Sequence, residues 1–136
     1  MQIRISIEDG VPIYLQIVNQ VKLLVASGRL AEGEEMPPIR VLAEKLLVNP
    51  NTVARAYREL EAAGIVAKRS TAGTYVSASG SALARRERFQ ILCTQADLLI
   101  REARQIDVSV DEVVALVRER DGAMPVDKTE EHELGR

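Results

Sequence analysis

Apolar side chains recur three and four positions apart along several stretches of the chain, and this spacing predicts amphipathic helices. The first helix is expected over residues 12 to 27, and Gly28 is expected to end it. Its inner stripe comprises Ile13, Ile17, Val21, Leu24 and Val25. Residues 2 to 7 alternate between apolar and polar side chains, which predicts a short strand. We expect the first helix to be a scaffold for the elements that follow.

Two shorter helices with a tight turn between them are predicted next. One begins near Pro38, and the other has Asn49 as its N-cap and Pro50 in its first position, where a missing N–H costs nothing. The turn is formed by Leu47, Val48 and Asn49. The inward side chains are expected to be Ile39, Leu42, Ala43 and Leu46 in one helix and Val53, Ala56, Tyr57 and Leu60 in the other.

A small β-hairpin is predicted after Gly64, which is a natural helix end. Its strands are expected at residues 65–67 and 74–76, with residues 70–73 as the loop. Helix, turn, helix and hairpin in this order are typical of a winged helix-turn-helix, in which the second helix enters the major groove of DNA.

The outer side of the second helix has residue types that suit the reading of bases. At about 100° per residue, Asn51, Arg55 and Arg58 fall opposite the apolar face, and Thr52 lies in the first turn. An asparagine can pair with adenine and an arginine with guanine. Arg40 lies near the start of the preceding helix, where the helix dipole does not favour positive charge, so a DNA partner would explain it. A solvated helix face and a free surface arginine are the alternatives.

Positive charge is concentrated in this part of the chain. Residues 36 to 76 contain six basic and three acidic residues, a net charge of +3, whereas the whole chain has a net charge of −2. Lys68 and Arg69 stand at the base of the hairpin. The local balance suits contacts with DNA phosphates, although the total charge does not indicate them.

These residues resemble the GntR family of transcriptional regulators, and more closely its short YtrA-type subfamily. The matching segments are collinear over residues 12 to 76. They are Pro12-Ile13-Tyr14-Leu15-Gln16-Ile17, Ser27-Gly28-Arg29-Leu30, Gly33, Met36-Pro37 with Arg40, Leu42-Ala43, Val48-Asn49-Pro50-Asn51-Thr52-Val53, Ala56-Tyr57-Arg58-Glu59-Leu60-Glu61, Gly64 and Gly73-Thr74-Tyr75-Val76.

The resemblance implies a winged helix-turn-helix that binds operator DNA as a dimer. By this resemblance, the groove contacts would be Arg40, Asn49, Asn51, Thr52 and Arg55. Lys68 and Arg69 would serve the wing together with Thr71, Gly73 and Thr74. Two positions depart from the family pattern. Pro38 replaces the usual Ser or Ala and so removes an amide that could meet a phosphate. Thr71 stands where a second glycine is usual, so entry of the wing into the minor groove and contact with phosphate alone both stay open.

The C-terminal part is predicted to be helical after a linker at residues 77 to 81. A long helix is expected over residues 82 to 106, and its apolar stripe has heptad spacing. The members of this stripe are Phe89, Leu92, Ala96, Leu99, Ala103 and Ile106. Ser109 and Glu112 have capping-box spacing, which predicts a second helix that ends near Gly122. This helix carries Val113, Leu116 and Val117.

We expect the heptad stripe to form a homodimer interface, and packing within one subunit is the alternative. Two helices cannot bury this many apolar side chains on both sides, and palindromic operators require a two-fold partner. YtrA-type members have a short helical C-terminal domain that pairs subunits, so the resemblance agrees. We therefore expect a DNA-binding domain at 1–77, a helical dimerisation domain at 78–122 and a polar, flexible tail at 123–136. A small-molecule effector would need a small pocket or one shared between subunits.

Other classes of function are disfavoured by what the sequence lacks. The single histidine, His132, falls in the expected tail, and no cysteine–histidine cluster has zinc spacing, so no catalytic residue, metal or cofactor is expected. Cys93 is expected to be a small buried side chain. A single cysteine and the absence of a long apolar run or signal-peptide pattern predict a cytoplasmic protein without a membrane segment.

The sequence thus predicts a mainly α protein with a small β-hairpin: an N-terminal winged helix-turn-helix followed by a short two-helix dimerisation domain. We expect a homodimeric repressor that binds a palindromic operator, of its own or of a transporter operon. The alternatives are a winged helix that binds proteins and a DNA-binding protein of plasmid partition or replication.

Overall fold

The structure, a computed structural model, describes residues 1–7, 10–69 and 73–125. Within these residues the chain forms five helices and an antiparallel hairpin, so the predicted fold class is confirmed. The elements are α1 (Ile13–Ala26), α2 (Ile39–Leu46), α3 (Pro50–Ala62), β1 (Val66–Lys68), β2 (Thr74–Val76), α4 (Gly80–Gln105) and α5 (Val110–Ala123). Two compact units result, one of residues 1–91 and one that begins at residue 92.

The core of the first unit lies between α1, α3 and the hairpin. Ile17 and Val21 of α1, Leu60 of α3 and Ile65 are fully buried there. The apolar stripes predicted for α2 and α3 face this core, with Leu42, Ala43, Val53 and Ala56 among its buried members. The core holds α3 firmly by one face and leaves its opposite face at the surface.

The turn between α2 and α3 is closed by local hydrogen bonds. Leu47 adopts the left-handed conformation (φ 57°) and is 91% exposed, while the N–H of Val48 donates to the carbonyl oxygen of Ala43 over 3.0 Å. Asn49 is the N-cap of α3, and its side-chain oxygen accepts from the N–H of Asn51 over 2.8 Å. The predicted turn and the predicted start of α3 are both confirmed.

The hairpin gains a third backbone segment from the residues before α2. The N–H of Met36 donates to the carbonyl oxygen of Thr74, and the N–H of Val76 donates to that of Glu34. The strand β1 begins one residue later than predicted, because the N–H of Ile65 donates to the carbonyl oxygen of Leu60 at the end of α3. Val66 pairs with Val76 and Lys68 with Thr74, and this register decides which face of the hairpin each side chain occupies.

The strand predicted at residues 2 to 7 is wrong, although its backbone is held. The N–H and carbonyl oxygen of Arg4 both bond to the side-chain amide of Gln20, and those of Ser6 both bond to the side-chain amide of Gln16. These two glutamines, four residues apart on α1, replace the neighbouring strand. Ile3 is buried against the core as a result.

The long helix α4 begins at Gly80, two residues before the predicted start. A Cβ at Gly80 would lie 2.5 Å from the carbonyl oxygen of Ile65, so no larger residue fits without movement. The side chain of Ser77 donates to the carbonyl oxygen of Gly64 in the same corner. The beginning of α4 is thus packed tightly against the turn that leads into β1.

In the second unit, α5 follows the later part of α4 after a short turn. Ser109 and Glu112 form the predicted capping box, which is confirmed. Ala103 and Val113 are the buried apolar side chains of this unit within the described residues. Leu116 and Val117 are exposed. The residues predicted as a tail from 126 onward, together with His132, lie outside the described residues.

Candidate nucleic-acid interface

The outer face of α3 forms a shallow groove with the first turn of α1, and we call it the α1–α3 groove. It is lined by Ile13, Tyr14, Asn51, Thr52, Arg55 and Arg58. All four residues predicted on the outer side of α3 therefore lie together on one surface. Asn51, Arg55 and Arg58 are exposed and Thr52 is half-buried. This surface presents amide, hydroxyl and guanidinium groups on one face of a helix. Such groups can form hydrogen bonds with base edges and phosphates.

Arg55 is held in this groove by an aromatic side chain from another helix. Its Cζ atom lies 3.7 Å from the centroid of the Tyr14 ring. A cation within about 6 Å of a ring centroid is attracted by the electron-rich face of the ring. Sequence reasoning missed Tyr14 as a site residue, because the periodicity of α1 says nothing about which side chain of α3 it will meet.

Asn49 has a structural role that the prediction of a groove contact did not include. Its side-chain oxygen caps α3, while its amide nitrogen can donate to a partner. The cap supplies an acceptor for one of the free N–H groups of the first turn. Asn49 therefore fixes the start of α3 in addition to the DNA contact predicted for it.

A second concave surface lies between the start of α2 and the hairpin, and we call it the α2–wing notch. Arg40, Gly73 and Thr74, all predicted DNA contacts, line this notch together with Glu35 and Tyr57. The O–H of Tyr57 donates to the carbonyl oxygen of Pro37 over 2.7 Å and fixes the entry to α2. Burial raises the pKa of the Tyr57 phenol above its ordinary value, so this hydroxyl stays protonated and donating.

The predicted wing residues Lys68 and Arg69 lie on different faces of the hairpin, because successive side chains of an extended strand alternate between its faces. Lys68 pairs with Thr74, so it shares the face of the hairpin on which Thr74 lines the α2–wing notch. Arg69 instead lies over the ring of Tyr75, at 4.5 Å from its centroid, and lines a different depression with Glu32 and Ser77.

The wing is closed at its base by a backbone contact. The N–H of Arg69 donates to the carbonyl oxygen of Gly73 over 2.9 Å. Gly73 has φ +97°, and a Cβ there would lie 3.2 Å from the carboxylate of Glu35. A glycine is therefore needed at this corner, and Glu35 is a second residue of the site that sequence reasoning missed. Thr71 lies outside the described residues.

The predicted dimer stripe is largely uncovered in the single chain. Phe89, Leu92, Ala96, Leu99 and Ile106 are exposed, and Ala103 alone among the six is buried. Packing within one subunit, the alternative, therefore accounts for Ala103 only. The prediction that Cys93 is buried is wrong: this side chain is exposed, as are all residues from 92 to 97 of α4.

Two negative observations apply to the described part of the chain. No helix there is both long and apolar enough to cross a membrane. No three His, Cys, Asp or Glu side chains there come together as a candidate metal site.

A capped helix that presents exposed arginines and amides, preceded by a tight turn and a short helix and followed by a hairpin, defines a winged helix-turn-helix DNA-binding domain. The sequence profile of bacterial regulatory proteins of the gntR family matches residues 13–76. The HTH-type transcriptional repressor YtrA of Bacillus subtilis (strain 168) is 32% identical over 117 residues, which are 86% of this chain and 90% of YtrA.

Solved structures agree with the sequence match. A transcriptional antiterminator from Listeria monocytogenes EGD-e has a TM-score of 0.62 at 30% identity, over 89% of this chain and 90% of that chain. YtrA from Sulfolobus acidocaldarius, a GntR-family transcription factor, has a TM-score of 0.56 at 33% identity, over 69% and 95%. This chain belongs to the GntR family of bacterial regulatory proteins, and its resemblance to YtrA-type members is confirmed. It is a transcriptional regulator with a DNA-binding domain and not an enzyme.

Proposed function

We propose that this protein is a homodimeric repressor that binds a palindromic operator and blocks transcription by occupying it. The observation that carries the proposal is the α1–α3 groove, where Asn51, Arg55 and Arg58 are exposed on the outer face of α3, a capped helix whose opposite face is buried. An arginine can bond to both acceptors of guanine and an asparagine to adenine. The α2–wing notch adds Arg40 beside the hairpin, where phosphate contacts would fix the register of the protein on DNA.

The dimer is supported by the apolar surface of α4. Leu92 and Leu99 are exposed at heptad spacing, and Ile106 is 71% exposed. Soluble monomers rarely leave such a continuous apolar stripe in water, and a second copy with the same stripe would cover it. A two-fold dimer would present two copies of α3 to two half-sites, which requires an inverted repeat in the DNA.

The repressor role is supported by similarity alone. The B. subtilis relative is described as a repressor, and its similarity to this chain extends over most of both sequences. We propose control of the protein's own operon or of a transporter operon, from the resemblance to YtrA-type regulators. Binding of an operator that overlaps a promoter would exclude the polymerase without any further activity.

The test is selection of bound sequences from a random duplex pool with the full-length chain, followed by footprinting on the enriched DNA. An inverted repeat with half-sites about one helical turn, 34–36 Å, or a multiple of it apart is expected. Transcription from a promoter that overlaps the repeat should fall when the protein is added. Enrichment without a repeat would contradict the dimer, and an increase in transcription would contradict repression.

Absence of any enrichment, at low salt as well as at high salt, would favour a winged helix that binds proteins. Arg55→Ala tests the groove, and Arg101→Ala is its matched control. Both variants remove one exposed arginine, but only Arg55 lies in the α1–α3 groove. Selection should change with the first variant and persist with the second.

A further inference from the structure

We propose that Tyr14 is a positioning residue that sets the base preference of this protein by holding Arg55 in a fixed direction on the outer face of α3. The inference rests on the proposed function, because it concerns how the α1–α3 groove reads DNA. It assigns a DNA-reading role to α1, the helix that otherwise serves as a scaffold behind α3.

The geometry of the pair supports a persistent contact. Tyr14 is half-buried and packs against the hydrophobic core, so its ring is itself fixed. Arg55 is exposed, and its Cζ atom lies 3.7 Å from the ring centroid. This separation is that of two groups in van der Waals contact. A long side chain on an exposed helix face thus has a rigid surface on which to rest.

The contact leaves the hydrogen-bonding groups of Arg55 available. The five N–H donors of a guanidinium lie in its plane and point outward from its edge, whereas stacking on a ring uses the face. Arg55 can therefore stay on Tyr14 and still donate two parallel hydrogen bonds to a guanine. No acidic side chain lines the α1–α3 groove in the described residues, so no carboxylate of the groove competes for these donors.

The benefit of the contact is a lower cost of ordering on binding. Immobilising a flexible side chain at an interface costs about 0.5–1.5 kcal/mol, which corresponds to about a two- to twelvefold change in affinity. Because Tyr14 already orders Arg55 in the free protein, much of this cost is removed before DNA arrives. The direction given to the guanidinium also decides which base edge it meets.

The test compares Tyr14→Leu, Tyr14→Phe and the control Leu15→Ala, each alone and in combination with Arg55→Ala, in the full-length chain. Leucine keeps apolar packing but removes the ring, and phenylalanine keeps the ring without the hydroxyl. Leu15 is half-buried beside Tyr14 in the same turn of α1 and does not line the groove, so its variant reports loss of packing alone. Affinity is measured on the enriched sequence and on random duplex, and the thermal midpoint is measured for every variant.

Tyr14→Leu should weaken binding to the enriched sequence about two- to tenfold, with little change on random duplex. Selection with Tyr14→Leu should lose preference at the same base position as selection with Arg55→Ala. Tyr14→Phe should bind like the unaltered protein, and Tyr14→Leu should have no further effect once Arg55 is alanine.

Independent, multiplicative losses from Tyr14→Leu and Arg55→Ala would overturn the inference, as would an equal loss on random duplex. Tighter binding by Tyr14→Leu would also overturn it, because the ring would then compete with DNA for Arg55. If the unaltered protein selects a sequence and a variant gives any of these results, this inference fails but the proposed function stands. An unaltered protein that selects no sequence would overturn both.

Discussion

The two units differ in how far their apolar side chains are buried: residues 1–91 enclose a core, whereas most large apolar side chains of the described residues 92–125 are exposed. In the first unit, side chains from α1, α3 and the hairpin close around one core, with Ile17, Leu60 and Ile65 fully buried. In the second, Ala103 and Val113 are the buried apolar residues, while others remain at the surface. These exposed residues are Leu92, Leu99, Ile106, Val110, Val114, Leu116, Val117 and Met124.

This difference in burial indicates where each unit obtains its stability. The first unit has a core of its own, so the groups on its surface are available for binding rather than for folding. The described part of the second unit consists of the later part of α4 and α5, and the small apolar contact between them is less than an independently stable domain usually requires. In the proposed homodimer a second copy would cover this apolar surface, and association would then contribute to the stability of the unit.

The largest effect is expected from a charge placed on the exposed stripe. Leu99→Asp should separate the proposed homodimer, because an unpaired carboxylate in an apolar interface costs several kcal/mol. The mass in solution, measured by light scattering across a concentration series, should fall to that of one chain. Binding to an inverted repeat should weaken as the second half-site contact is lost.

The matched control for this experiment is Thr94→Asp. Thr94 lies five positions before Leu99 on α4, on the side of the helix away from the stripe, and it is exposed. The same charge there should leave the mass unchanged. If both variants keep the mass of a dimer, the stripe is not the interface; if both lose it, the helix itself has been weakened.

The second largest effect is expected within the closed core. Leu60→Ala removes a fully buried side chain of α3 and should lower the free energy of unfolding by about 2–5 kcal/mol. Urea unfolding at two protein concentrations measures it. Val41→Ala, on the exposed side of α2, should change stability by less than about 0.5 kcal/mol. Equal effects from the two variants would contradict the contrast between core and surface in the first unit.

A smaller effect, confined to DNA binding, is expected at Arg55. Arg55→Ala should weaken binding to the enriched sequence by roughly 1–3 kcal/mol and relax the preference at one base position. Its thermal midpoint should stay close to that of the unaltered protein, because Arg55 is outside the core. Fluorescence anisotropy measures the affinity for the enriched duplex and for a random duplex. An equal loss on the two duplexes would instead assign Arg55 to the DNA backbone.

The smallest effect is expected at Tyr57. Tyr57→Phe removes the hydrogen bond to the carbonyl oxygen of Pro37 and should cost about 0.5–1.5 kcal/mol of stability. Burial raises the pKa of Tyr57 in the folded state, above the value of about 10 expected in the unfolded chain. The protonated phenol therefore stabilises the fold below pH of about 10, and this contribution is lost as the pH rises further.

Urea unfolding between pH 8 and 11, on the order of one measurement per half unit, tests the sign of this effect. The unaltered protein should lose stability more steeply above pH of about 10 than Tyr57→Phe does, since the variant has no phenol to ionise there. Parallel curves for the two proteins would show that the ionisation of Tyr57 does not oppose folding.

The local signals in the sequence were sufficient for most of the fold. Asn49 followed by Pro50 placed the start of α3, and Ser109 with Glu112 placed the start of α5, because a cap acts within a few residues. The pairing of Gln16 and Gln20 with the first residues could not be predicted in this way. A side chain that replaces a neighbouring strand leaves no periodic signal, so the alternation of residues 2–7 predicts a strand that the structure does not form.

The candidate site was predictable in its residue types but not in its arrangement. The outer face of α3 follows from helical spacing, and Asn51, Arg55 and Arg58 do lie on one surface. Lys68 and Arg69 are both predicted to serve the wing, yet successive residues of an extended strand face opposite sides, so the two side chains have different neighbours. The contact between Tyr14 and Arg55 depends on how α1 crosses α3, which the sequence does not reveal.

The attachment of the first residues to α1 has a consequence for the conditions in which this protein works. Gln16 and Gln20 are neutral amides, and they bond to the backbone of Arg4 and Ser6 rather than to charged groups. Such bonds do not titrate and are little screened by ions, whereas contacts with phosphates weaken steeply as salt rises. High salt that releases the protein from DNA should leave these amino-terminal hydrogen bonds intact. The domain would then leave the operator fully folded and able to bind again.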